Sequence, residues 1–275
     1  MITTHHVEAF RRDGYVILDR LIDDQTVDRI KAAMARVYEG NYTADRRPPA
    51  IRKAVAPFGS AKSVQWVLNA RVLDHELWQL SISRELGECA ARLLVSPCVS
   101  IVEDQLLAKP PNDGLPVNVH QDYSYWPFSR SNHLISCWIA LCDVTSDMGP
   151  LLCIKGSHKW GPAKRPSELI LGREDNWLEG ISEVKPDEQA LAWGSAELKA
   201  GGCVFFHALT FHGSRANQSN RWRTAMSLHW ASEECKADLA ETRHHNYPYF
   251  FARLKDGGRL VNKYMPQVYP IYAEH

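Results

Sequence analysis

From Val99 onward the chain consists of short β-prone runs separated by turn residues, and no other feature constrains its fold as tightly. The runs are VSIVEDQLLAK (99–109), VNVHQDY (117–123), LISCWIALCDV (134–144), LLCIKGS (151–157), CVFFHALT (203–210) and RTAMSLHW (223–230). Repeated short strands with glycine and proline between them are the pattern of an all-β sandwich or barrel. Residues 1–98 read differently. Val7 and Phe10 mark a short helix that stops before Asp13-Gly14, YVIL (15–18) reads as a strand, and Asp23 or Asp24 caps a helix carrying Val27, Ile30, Met34 and Val37. Residues 41–60 are basic, polar and proline-bearing, which predicts an irregular segment, and helical patterns are expected around 62–80 and 82–95.

No Gly/Ser-rich or charged linker divides the two textures. A single domain over 1–275 is therefore expected, mainly β with flanking helices: a mostly helical front (1–98), a β core (99–232) and a C-terminal tail (233–275). At 275 residues such a chain can bury a large core. Lys plus Arg balances Asp plus Glu at 32 each, so no global field draws it to nucleic acid or an anionic membrane. The seven cysteines are scattered without a C-x-x-C pair, and neither a signal peptide nor an 18-residue apolar run is legible. These features predict a cytoplasmic protein with reduced thiols, binding neither nucleic acid nor membrane.

Strand geometry gives VNVHQDY its chemical interest. Side chains alternate faces, so His120 and Asp122 point one way and Gln121 the other. An imidazole and a carboxylate so placed can share one metal ion, although the same pair is also what a strand-surface hydrogen bond looks like. A further ligand would come from 201–230, which offers His207 and His212. Two histidines and one carboxylate on one face leave open metal positions and suit non-haem Fe(II) oxygenase chemistry. Arg223, in phase with Ala225 and Ser227 and out of phase with Met226 and Leu228, faces a small and polar surface. Held near such a metal face, it would take a dicarboxylate cosubstrate through its fork, with the Ser214 hydroxyl as a further donor.

HQDYSYWPF (120–128), LISCWIALCDV, MGPLLCIKGSHKWG (148–161) and FHALTFHGSRANQSNRWR (206–223), in this order behind EAFRRDGYVILDRLI (8–22), resemble the phytanoyl-CoA dioxygenase family of Fe(II)- and 2-oxoglutarate-dependent oxygenases. The resemblance runs from about residue 7 to 232. It implies a double-stranded β-helix (jelly roll, cupin-like) core and makes His120, Asp122 and His212 the iron ligands. Arg223 then partners the 2-oxoglutarate C5 carboxylate with help from Ser214, while Trp138, His207 and Gln105 line the cofactor pocket. It implies Fe(II) as cofactor, 2-oxoglutarate and O2 as cosubstrates, and oxidation of an unactivated C–H bond of a small molecule with release of succinate and CO2. The family's Pro-Gly-Ser-His turn is Lys155-Gly156-Ser157-His158 here, losing proline's fixed φ but keeping the glycine.

Tyr125, Trp126 and Phe128, just past Asp122, are the expected substrate wall, although aromatics there are equally compatible with a core. The substrate is left between a compact natural-product or amino-acid derivative and a fatty acyl-CoA. The latter would use cations in 45–53 and at Lys155, Lys159, Lys164 and Arg165. Two other classes compete: a redox-inert metal hydrolase or isomerase on the same fold, and a non-catalytic binding protein. Residues 159–200 and the aromatic tail are where substrate choice or homodimer contacts are expected.

Overall fold

A computed structural model describes residues 2–44, 46, 64–112, 115–164, 177–178, 181, 184–186, 190–242, 250–251 and 254–270. Helix α1 (Thr4–Asp13) begins in a capping box, where the Thr3 side chain accepts from the His6 amide and the His6 ring accepts from the Thr3 amide. It ends at Gly14, whose φ of 84° is a left-handed cap that glycine adopts without strain. Strand β1 (Tyr15–Leu18) follows, then α2 (Asp24–Glu39), capped by the Asp23 carboxylate and burying Val27, Ile30, Met34 and Val37. Most of the expected irregular segment 41–60 lies outside the described residues.

The helix expected over 62–80 is instead three pieces. Strand β2 (Gln65–Leu68) pairs antiparallel with Gln105–Ala108, a 3-10 turn covers Ala70–Val72, and only then does α3 (His75–Ser81) start. Asn69, at φ 55°, separates strand from turn, a conformation its short polar side chain tolerates better than most residues. Helix α4 (Arg84–Leu94) matches the expectation for 82–95 and is capped by Ser83.

The β region comprises β3 (Val99–Lys109), β4 (Val117–His120), β5 (Leu134–Ala140), β6 (Leu152–Ile154), β7 (Trp193–Ser195), β8 (Cys203–His207), β9 (His212–Ser214) and β10 (Arg223–Ser232). A short α5 (Leu239–Thr242) and β11 (Gln267–Tyr269) complete the described elements. The larger sheet runs β1-β8-β5-β10-β3-β11 with β2 also on β3, and the smaller runs β4-β9-β6-β7; every pairing is antiparallel.

The two sheets pack as a jelly roll. Outward residues of the larger sheet, such as Leu106, Ile135, Cys137, Phe205 and Leu228, bury against the helices with Leu77, Leu86 and Ala90. Its inward residues Leu107, Trp138, Val204 and Ala225 meet Leu151 and Cys153 of the smaller sheet. The helix-side cluster runs from Ile2 to Val268, so the tail is part of the core it closes. All seven cysteines are free thiols, and no described helix is long and apolar enough to cross a membrane.

Candidate metal centre and cosubstrate pocket

Strand β4 ends at His120, and Asp122 opens a 3-10 turn (Asp122–Tyr125). Gln121 between them is still extended, so the alternation survives one residue past the strand. The Gln121 side chain faces away, donating to the carbonyls of Gly161 and Leu209 and accepting from the Ala163 amide. His212 opens β9 and is the register partner of His120. Its Nε2 lies 3.4 Å, and that of His120 3.6 Å, from Asp122 Oδ1, and potential ligand atoms of the three residues all fall within 4.8 Å of one another.

Each histidine has its other nitrogen fixed by a backbone carbonyl two residues earlier. His120 Nδ1 donates to Asn118 (2.7 Å) and His212 Nδ1 to Thr210 (2.9 Å), so both present an unprotonated Nε2 to the centre. Burial lowers the His120 pKa, assisted by the neighbouring His212. Burial alone would raise the Asp122 carboxyl, but the two histidines beside it hold it well below the usual carboxylate range. Two imidazoles beside a carboxylate held ionised are the donor set a divalent ion requires. The donor chemistry, the converging lone pairs and the burial fit Fe(II).

Three other expected site residues, Arg223, Trp138 and Gln105, lie along the inner face of the larger sheet. Register places Arg223 opposite Lys109, Ala225 between Leu107 and Ala140, Ser227 between Gln105 and Trp138, and His229 between Glu103 and Ser136. The Arg223 guanidinium is buried over the Trp138 ring, 5.5 Å from its centroid, and Nη1 donates to the Gly149 carbonyl at 2.6 Å. Its Nε has no hydrogen-bond partner, and it has no carboxylate partner among the described residues. Burial lowers its pKa to about 10, which leaves it charged at neutral pH. A buried, uncompensated guanidinium calls for an anion, and a ligand carboxylate fits. Asn118, on the same side of β4 as His120, also keeps a buried side-chain oxygen without a partner.

Ser214, expected as a donor to that anion, accepts a hydrogen bond from the buried Lys109 ammonium (2.8 Å), which also donates to the Arg215 carbonyl. Lys109 is a second buried cation here that sequence reasoning missed. Gln105 is half-buried and donates to Glu103 at 3.0 Å. Burial raises the Glu103 carboxyl to about 7, against the hydrogen bond from Gln105.

Two expectations need correction. His207 follows the inward Phe206 and so lies on the outer face of β8. Its Nδ1 accepts from the Leu209 amide, its ring packs 6.4 Å from Phe10 and 5.8 Å from His158, and burial takes its pKa to about 3. It is a half-buried histidine held by a backbone amide on the face opposite Phe206. Phe128 is fully buried and stacks on Phe251 in the helix-side core, so it forms no wall. Trp126 is buried too, but its ring meets His229 edge-on at 4.9 Å and its side chain hydrogen-bonds Glu103. Tyr125 is half-buried, with its ring edge-on to His120 at 5.6 Å, beside the candidate ligands.

Comparison with known proteins agrees with this geometry. The model of the family described as phytanoyl-CoA dioxygenase (PhyH) matches residues 10–225. Rat peroxisomal phytanoyl-CoA dioxygenase is 26% identical over 238 residues, 82% of this chain and 68% of the relative. The ectoine dioxygenase of Bordetella bronchiseptica is 26% identical over 230 residues, 79% and 71%. Among solved structures, the non-heme alpha-ketoglutarate-dependent carbocyclase SnoK from nogalamycin biosynthesis superposes with a TM-score of 0.75 at 23% identity, covering 97% of this chain and 96% of that one. EctD from S. alaskensis with 2-oxoglutarate and 5-hydroxyectoine gives 0.66 at 20% identity, covering 86% and 78%. At these identities the solved structures speak to the fold.

Proposed function

Since the chain belongs to the phytanoyl-CoA dioxygenase family, we propose that it is an Fe(II)- and 2-oxoglutarate-dependent dioxygenase that oxidises an unactivated C–H bond of a small organic molecule, releasing succinate and CO2. The observation that carries this is the convergence of His120, Asp122 and His212 within 4.8 Å. Around them lies the buried Arg223, whose charge has no carboxylate partner among the described residues. A redox-inert hydrolase would explain the triad but leave Arg223 without a purpose, and a binding protein would need neither.

His120, Asp122 and His212 would hold Fe(II), which when bound supplies the redox chemistry that activates O2. Each residue has a separate task in this scheme. The two histidines keep their Nε2 lone pairs aimed at the centre because their Nδ1 protons are committed to backbone carbonyls. Asp122 brings the balancing negative charge. Arg223, fixed by the Gly149 carbonyl and seated on Trp138, binds and orients the distal carboxylate of 2-oxoglutarate. Lys109 holds the Ser214 oxygen beside it, leaving that hydroxyl's own proton to point elsewhere. The inner faces of the two sheets exclude water from the remainder.

For the substrate, the acyl-CoA reading finds no dedicated phosphate site among the described residues. Among the cations that phosphates would need, Lys155 lies 3.6 Å from Asp13 and Lys159 donates to the Arg12 carbonyl, both engaged with α1. Lys164 is exposed, and Arg47, Arg52, Lys53 and Arg165 lie outside the described residues.

Succinate release, followed across a panel of compact natural-product-like molecules and acyl-CoAs, tests both parts. It should require Fe(II) and O2 and vanish in His120→Ala and Asp122→Ala. Turnover that survives either substitution, or activity with Zn2+ in the absence of O2, would overturn the assignment.

A further inference from the structure

Asp122 differs from the other two members of the triad in how it is held. The histidines are each oriented by a backbone carbonyl two residues earlier, but Asp122 sits on the first residue of a turn, and its orientation comes from the opposite sheet. Ser136, on the central strand β5, donates to Asp122 Oδ2 at 2.6 Å. His229, the register partner of Ser136 on β10, places Nδ1 2.8 Å from the same hydroxyl oxygen.

The protons can be assigned. Ser136 has one hydroxyl proton, and a carboxylate oxygen can only accept, so that proton is committed to Asp122. The Ser136 oxygen must then accept from His229, which puts the imidazole proton on Nδ1. Nε2 is left as a bare acceptor, and it is buried without a hydrogen-bond partner among the described residues. The opposite tautomer would bury an unpaired N–H and leave the 2.8 Å contact without a proton. Both residues are buried, Ser136 completely.

We propose that Ser136 and His229 are positioning residues of the metal centre: a relay, His229 to Ser136 to Asp122, that occupies Oδ2 and leaves only Oδ1 to face the metal. Oδ1 is the atom that lies 3.4 and 3.6 Å from the two histidine Nε2 atoms. A carboxylate tied in this way binds through one oxygen, so the face keeps positions open for cosubstrate and O2. Without the tie the carboxylate can rotate and close a position by binding through both oxygens. The relay rests on the reading of the site as a metal centre.

The test uses the full-length protein loaded with Co(II) in place of Fe(II), because its visible absorption reports coordination number without turnover. Ser136→Ala should weaken Co(II) binding about 10- to 100-fold, the range for lost outer-shell partners, and change the intensity and position of the visible bands. His229→Leu should move both readouts in the same direction. His229→Asn, whose amide nitrogen stands where Nδ1 stood, should restore most of both. Because His229 acts through Ser136, the Ser136→Ala/His229→Leu double variant should be no worse than Ser136→Ala. Wild-type affinity and spectrum in Ser136→Ala, equal losses in His229→Leu and His229→Asn, or additive losses in the double variant would each overturn the relay. Should Ser136→Ala fail to fold by circular dichroism, the Leu and Asn variants at 229 decide alone. Failure of the wild-type chain to take up Co(II) would instead overturn the metal-centre reading beneath it.

Discussion

At the scale of single residues, two charged groups on the inner sheet face make opposite demands. Arg223 is a buried cation awaiting an anion. Its replacement by Leu should reduce 2-oxoglutarate affinity at least about 30-fold, the lower end of the 2–5 kcal/mol lost when a buried charged pair is truncated. Metal affinity should stay unchanged, which calorimetric titration of the Mn(II)-loaded variant would check. Glu103 is a carboxyl that resists ionisation, with its pKa raised from 4.5 to about 7 by burial. Between those values the folded state binds more protons than the unfolded state, so stability falls as pH rises through that window and levels off above it. The shift corresponds to roughly 3 kcal/mol. Glu103→Gln should therefore gain stability relative to wild type at pH 8 but not at pH 4, measured by urea unfolding at both; a pH-independent difference would refute this. Parity made His120, Asp122 and the phase of Arg223 legible in the sequence. Lys109, Ser136 and His229 were not, because within a run such as LISCWIA alternation sorts residues into two faces without saying which one lines a site. His207 misled for a related reason, since its strand puts Phe206 inward and the histidine outward.

At the scale of elements, the centre depends on how closely β4 and β9 approach. A Cβ added at Gly213 would lie 2.7 Å from the Val117 carbonyl oxygen and 3.2 Å from Val119 Cα, both backbone atoms that cannot swing aside. Gly213→Ala should therefore push β9 off β4 and separate His212 from His120. The unfolded-state gain from Gly→Ala is about 0.4–1 kcal/mol, and the overpacking penalty of about 1–3 kcal/mol outweighs it. Loss of Mn(II) affinity together with a lowered melting temperature is the expected result; unchanged metal binding would show that the two strands have slack. Element types were legible where caps and periodicity agreed, as in α1, α2 and α4. They were not over 62–80, where apolar spacing served helix and edge strand equally and pairing with β3 decided for β2.

At the scale of the whole molecule, a β sandwich or barrel could be anticipated from the texture of the second half and its jelly-roll form from the family resemblance, but the fate of the tail could not. Its aromatic composition suggested a surface for substrate or a second subunit, whereas Phe250, Phe251, Leu260, Met265 and Val268 are core residues. The wholly buried Arg71 pairs with Asp104 and donates to the Tyr264 carbonyl, fastening the tail to β3. Such long-range ties, 193 residues apart in sequence, leave no local signal. Trp177 makes a tie of another kind. Its indole donates to the Val117 carbonyl, and its own carbonyl accepts from the Val119 amide. Strand β4 is the outer strand of the smaller sheet, and an outer strand with unsatisfied main-chain groups is a template on which a neighbouring molecule can add a strand of its own. Among the described residues, Trp177 thus occupies main-chain groups of β4 that an added strand would otherwise pair with. Trp177→Ala should accordingly make the hydrodynamic radius grow more steeply with protein concentration than that of the wild type in dynamic light scattering. A monodisperse variant would mean that this edge is guarded by other means.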